Sequence, residues 1–163
     1  MLLTFSTRLP FLVLISLLVL ACNNEEVEPT ADGLGKTVET VRELLGKGDA
    51  PGLASHYVIQ ESENKADALQ SARKMLKEVP EGGFLLRDLR ISGNMGVVLL
   101  ADSTEGPPYP VWTRWEDGGW KFFSNFTIWG NTNQIEDFGL SKKEMDHAYK
   151  LELWALARVP KKN

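Results

Sequence analysis

Residues 111–123 read VWTRWEDGGWKFF. Two runs of aromatic and β-branched residues flank Asp117-Gly118-Gly119. A two-residue hairpin turn needs positive φ, which Asp-Gly and Gly-Gly pairs supply at little cost. The stretch therefore predicts an antiparallel hairpin, with one strand over 111–116 and the next over 120–129. Side chains alternate across a strand, so Trp112 and Trp115, three positions apart, point to opposite faces. The tryptophans are expected to pack the core or sit under the final helix; the alternative is that at least one of this pair lies at a pocket or partner surface.

Working back from the hairpin, STEGPPYP (103–110) reads as a loop and MGVVLLAD (95–102) as a strand apolar on both sides, hence central in its sheet. Ser92-Gly93-Asn94 marks a turn before it. FLLRDLRI (84–91) has the period of a strand only imperfectly, because Arg87 falls in the same alternating set as Leu85, Leu89 and Ile91. Upstream of Pro80 the period changes to that of a helix. Leu34, Val38, Val41, Leu44 and Leu45 form one stripe of a helix over 34–47, ended by Gly46 and Gly48. Asp49 caps a short turn through APGLASHYV, and Ala68, Leu69, Ala72, Met75 and Leu76 mark a second long helix over 64–78. Beyond the hairpin, Ser141-Lys142-Lys143-Glu144 is a capping box that opens a C-terminal helix. Met145, Tyr149, Leu153, Leu151, Trp154 and Ala155 give that helix a broad apolar face. The expected class is α+β: N-terminal helices on a curved antiparallel sheet of about four strands, with an added C-terminal helix.

The totals suit one domain. The chain has 163 residues, 43% apolar and 25% charged, with a formal net charge of −4. No block of Lys and Arg forms a basic stripe, so no nucleic acid partner is expected. A single cysteine cannot pair within the chain, and two distant histidines, His56 and His147, offer no zinc spacing. No G-x-S-x-G elbow or phosphate-cradling glycine loop occurs. No metal and no cofactor are expected.

Helices followed by a meander that closes on Trp115-Glu116-Asp117-Gly118-Gly119-Trp120-Lys121-Phe122 resemble the nuclear-transport-factor-2-like superfamily, over about residues 34–129. The resemblance implies a cystatin-like α+β cone, in which the sheet wraps the helices around a pocket. In enzyme members a carboxylate base sits inside that cone. No such base maps onto this chain by motif. His56, Tyr57, Asp88, Trp112 and Trp115 are the candidate pocket residues, with Asp102 also beside a strand.

The only cysteine lies behind an apolar run. MLLTFSTRLPFLVLISLLVLAC (1–22) has one cation, Arg8, then a short apolar core. A membrane span needs about 20 apolar residues. This core is about half that length, the arrangement of a secretory signal. Val19-Leu20-Ala21-Cys22 resembles the bacterial lipobox, which implies cleavage between Ala21 and Cys22 and lipid attachment at Cys22. Asn23, in place of the inner-membrane retention aspartate, implies the outer membrane. Residues 1–21 are thus read as a lipoprotein signal peptide, 22–34 as a disordered acidic tether, and 35–163 as one cone-like domain.

Three functions follow from these readings. The first is an envelope lipoprotein whose domain binds a small apolar ligand or an envelope protein without catalysis. The alternative is an isomerase- or dehydratase-like enzyme using a carboxylate in the cone. The third is a homodimer built through the sheet face or the added helix. The expected partners are therefore the membrane, through N-terminal acyl chains, and a ligand, an envelope protein or a second copy.

Overall fold

The structure is a computed structural model that describes residues 28–58, 65–79, 83–123 and 139–160. The signal segment, Ala21 and Cys22, most of the tether, and the second half of the strand expected over 120–129 lie outside the described residues.

Helix α1 (Ala31–Lys47) is capped by Thr30, whose hydroxyl accepts from the Gly33 N–H, and it ends on Gly48 in the left-handed conformation. It starts three residues earlier than the apolar stripe suggested, so residues 31–34, assigned above to the tether, are helical. Leu34 and Val38 on this helix are fully buried. Asp49 caps the short helix α2 (Ala50–Ala54) through the Gly52 N–H, with Pro51 in its first turn where the missing N–H costs nothing. Helix α3 (Lys65–Glu78) follows.

Four strands then run as an antiparallel meander, in the order β1 (Leu85–Ser92), β2 (Met95–Ala101), β3 (Tyr109–Glu116) and β4 (Gly119–Phe122). The uneven pattern of β1 has a structural cause. The register shifts between Leu86 and Asp88, so Arg87 is the extra residue of a β-bulge. The bulge returns Leu86, Leu89 and Ile91 to one face, where all three pack on the helical core. Arg87 itself reaches the carbonyls of Ser103 and Thr104 in the β2–β3 loop.

Every residue of β2 is buried, as expected for a central strand covered on both sides. Val98 and Leu100 pack with α1, α2 and α3, while Met95, Val97 and Leu99 pack with helix α4 (Lys142–Leu156). The sheet is therefore a middle layer. The β3–β4 turn is Asp117-Gly118, both with positive φ, and Gly119 already belongs to β4.

Helix α4 opens on the full capping box between Ser141 and Glu144. Its Ala148, Leu151, Trp154 and Ala155 face the sheet, with Met145 partly buried. Tyr149 and Leu153, read above as part of the broad apolar face, are 38% and 71% exposed. The sheet covers one side of the helix, and the broad apolar face extends beyond that contact. Two side-chain bonds fix α4 to the β1–β2 turn: Ser92 Oγ to His147 Nδ1 at 2.7 Å, and Asn94 Nδ2 donating to Glu144 Oε1 at 2.8 Å.

Candidate binding cavity

The chain between α2 and α3 builds the site. His56, Tyr57 and Val58 run parallel to β4 as a short extra edge. The Phe122 N–H donates to the His56 carbonyl at 2.6 Å, and the Val58 N–H donates to the Phe122 carbonyl at 2.8 Å. Nothing in the local period of APGLASHYV announces this pairing, because its partner lies more than sixty residues away. It holds His56 and Tyr57 where the helical layer meets the sheet.

Between these layers lies a cavity of about 100 Å³. Val41 of α1, Leu53 of α2 and Met75 of α3 form its helical side. Leu100, Val111 and Phe122 form the sheet side, and Phe84 and Val79 close the end near β1. Three polar side chains join them: His56, Tyr57 and Tyr109. Tyr57 Oη donates to Met75 Sδ at 3.2 Å, a weak acceptor. Tyr109 Oη donates to Asp102 Oδ1 at 3.0 Å.

The electrostatics keep this lining neutral. Burial lowers the His56 pKa from 6.5, and the Lys121 charge adds to that; a bond to the Trp120 backbone opposes both. Burial pushes the Tyr57 hydroxyl up to about 12. Burial, then the bond and charge of Asp102, push Tyr109 up to about 12 as well. At neutral pH both tyrosines are therefore protonated donors and His56 is an uncharged imidazole.

Of the candidate pocket residues, the structure brings together His56 and Tyr57. Asp88 is exposed on β1, where it pairs with Arg158 beyond α4 at 3.2 Å. Trp112 is buried against α4, on the opposite face of the sheet. Trp115 packs beside the N-terminal helices, edge-on to Trp120 with ring centroids 5.6 Å apart. The two strand tryptophans take opposite faces and both pack in the core, as the core reading expects, so neither lines the cavity. Asp102 is exposed and touches the site only through Tyr109.

Among the described residues no carboxylate lines the cavity. A general base must reach the proton it abstracts, directly or through one water, and Asp102 is set back behind a phenol. Among the described residues no three His, Cys, Asp or Glu side chains gather as metal ligands would. No described helix is long and apolar enough to cross a membrane. Sequence reasoning missed Tyr109, Met75 and the aliphatic lining, since none carries a chemical motif.

Comparison with protein-family models gives no match, and comparison with curated proteins gives none. Among solved structures, one named Rd1NTF2_05, in a form carrying five substitutions, is similar at a TM-score of 0.39 and 18% identity. That similarity covers 56% of this chain and 92% of the other. A likeness that slight leaves the fold to be read from the chain's own geometry: helices on both faces of a four-stranded antiparallel sheet.

Proposed function

We propose that this chain is a lipid-anchored, non-catalytic binding module of a bacterial envelope, nuclear-transport-factor-2-like in kind, whose cavity takes a small apolar ligand. The observation that carries the reading is the cavity lining: aliphatic and aromatic side chains, three neutral polar groups and, among the described residues, no carboxylate. Size narrows the ligand. An apolar cavity of about 150 Å³ accepts benzene, so a space of about 100 Å³ suits a single small ring or a short alkyl chain. Burying a chain of five or six carbons contributes on the order of 4 kcal/mol at about 0.8 kcal/mol per CH₂. That corresponds to millimolar affinity.

The anchor rests on the sequence of residues 1–22 alone. Cleavage after Ala21 and acylation of Cys22 would place several chains in the bilayer, and two or more hold firmly where one does not. The acidic residues Glu25, Glu26 and Glu28 would then keep the domain clear of anionic headgroups, and Asn23 favours the outer membrane.

Methionine methyl groups provide the test. Met75 lines the cavity, while Met95 lies in the core on the other face of the sheet and serves as an internal control. Titrating hexanol into the full-length chain in lipid nanodiscs, with ¹³C-methyl methionine, should shift the Met75 resonance saturably in the millimolar range and leave Met95 in place. Equal, unsaturated drift of both signals, or no shift of Met75, would contradict the reading.

A further inference from the structure

The inner cavity ends at Tyr57. A second space of about 410 Å³ lies on the outer side of this residue, lined by Pro51, Ala54 and Ser55 of the α2 end, Ala68 and Leu69 of α3, and Lys121 of β4. Tyr57 is the wall the two share. Neighbouring residues of β4 are divided between them: Phe122 lines the inner cavity and Lys121 the outer cleft.

The charge of this pair of spaces is one-sided. Among the described residues Lys121 is the cation that lines the cleft, and no Asp or Glu lines either space. Its cross-strand neighbour, Arg114, is held by Glu116, with Nη2 to Oε2 at 2.6 Å, so that carboxylate is already taken. Among the described residues no acid pairs with Lys121, although the side chain is half-buried. A long cationic side chain commonly lies along apolar surface with its head kept outward. Here Lys121 lines the wider space, which Tyr57 separates from the apolar inner cavity. The same positive charge is felt at His56, in the inner lining.

We infer that the ligand is a short-chain alkyl carboxylate, its chain in the inner cavity past Tyr57 and its head in the outer cleft beside Lys121. A single cation matches a monoanion, and the small inner volume limits the chain to a few carbons. This inference rests on the cavity-binding reading above and adds the head group to it.

Hexanoate, hexanol and hexylammonium compared on the same full-length chain separate the two statements. With Met75 as the reporter, hexanoate should bind at least tenfold more tightly than hexylammonium. Lys121→Met, which keeps the apolar stem, should abolish that preference, and Lys121→Glu should reverse it. Hexanol should still shift Met75 saturably in both variants, which shows that they are folded. If hexanol binds but wild type does not distinguish the two charged probes, or if the preference survives Lys121→Met, the head-group inference is overturned while the cavity reading stands. If no probe moves Met75, both fall.

Discussion

At the scale of single residues, His56 makes the site pH-sensitive. Burial depresses its folded pKa below 6.5, so the unfolded chain takes up the proton first as pH falls. The stability it contributes is present above about pH 6.5 and is lost as pH drops toward the folded value. Thermal midpoints measured at pH 7 and pH 5 should therefore differ more in wild type than in His56→Gln. Equal differences in the two proteins would remove His56 as the cause. Tyr57 behaves otherwise, since its hydroxyl stays protonated to about pH 12 and bonds only a thioether among the described residues. Tyr57→Phe should change stability by no more than about 1 kcal/mol in urea unfolding. The sequence pointed to His56 and Tyr57 only as polar residues in an otherwise bland segment. Their role at the cavity depends on a parallel pairing with Phe122, which no local pattern encodes.

At the scale of elements, close approach and capping decide more than propensity. Gly96 of β2 lies beneath α1: an added Cβ would fall on Thr113 Oγ1 and come within 2.9 Å of Leu34 Cδ2 and 3.1 Å of the Trp120 ring. Gly96→Ala should destabilise the chain by about 1–3 kcal/mol through overpacking. Urea denaturation checks this, and an unchanged midpoint would contradict the close packing of α1 on the sheet. At α4, Ser141→Ala should cost about 1 kcal/mol as a lost N-cap. Glu144→Ala should cost more, because Glu144 closes the capping box and also accepts from Asn94 of the β1–β2 turn. Burial alone would raise the Glu144 pKa, but its bonds to Ser141 and Asn94 and the Arg114 charge outweigh burial and lower it. The stability it contributes is therefore present above about pH 4.5 and lost on further acidification.

Elements were legible where local chemistry is strong. Asp117-Gly118 announced its hairpin, and Ser141 with Glu144 announced α4. The start of α1 at Thr30 was hidden because Gly33 and Gly35 look like a breaker, whereas the Thr30 cap and the Trp120 Nε1 bond to the Thr30 carbonyl hold that turn in place. The bulge at Arg87 was visible only as broken alternation. On α4, periodicity found an apolar stripe but not its outer limit. Tyr149, Leu153 and Leu156 remain exposed because a single sheet contact cannot reach them.

At the scale of the whole molecule, the site draws on helices α1 to α3, the edge at 56–57, Phe84 and strands β2 to β4, and that convergence is why no motif revealed it. The sequence did predict the two ingredients that make the space: a helical layer on one face of the sheet and a hairpin, whose strands supply Val111 and Phe122. Location is a separate matter, carried by residues 1–22. Mass spectrometry of the processed protein should find Cys22 as an acylated N-terminus, and a free thiol or a retained leader would remove the proposed anchor without touching the cavity.

The central claim is that the space between helices and sheet is apolar and ready to take a small ligand. Crystals of the chain pressurised with xenon test it most directly, because dry apolar cavities bind that gas. The account predicts xenon density among Val41, Met75, Val111 and Phe122. Ordered waters bonded to His56 and Tyr109 filling that volume, with no xenon between the aliphatic side chains, would contradict it.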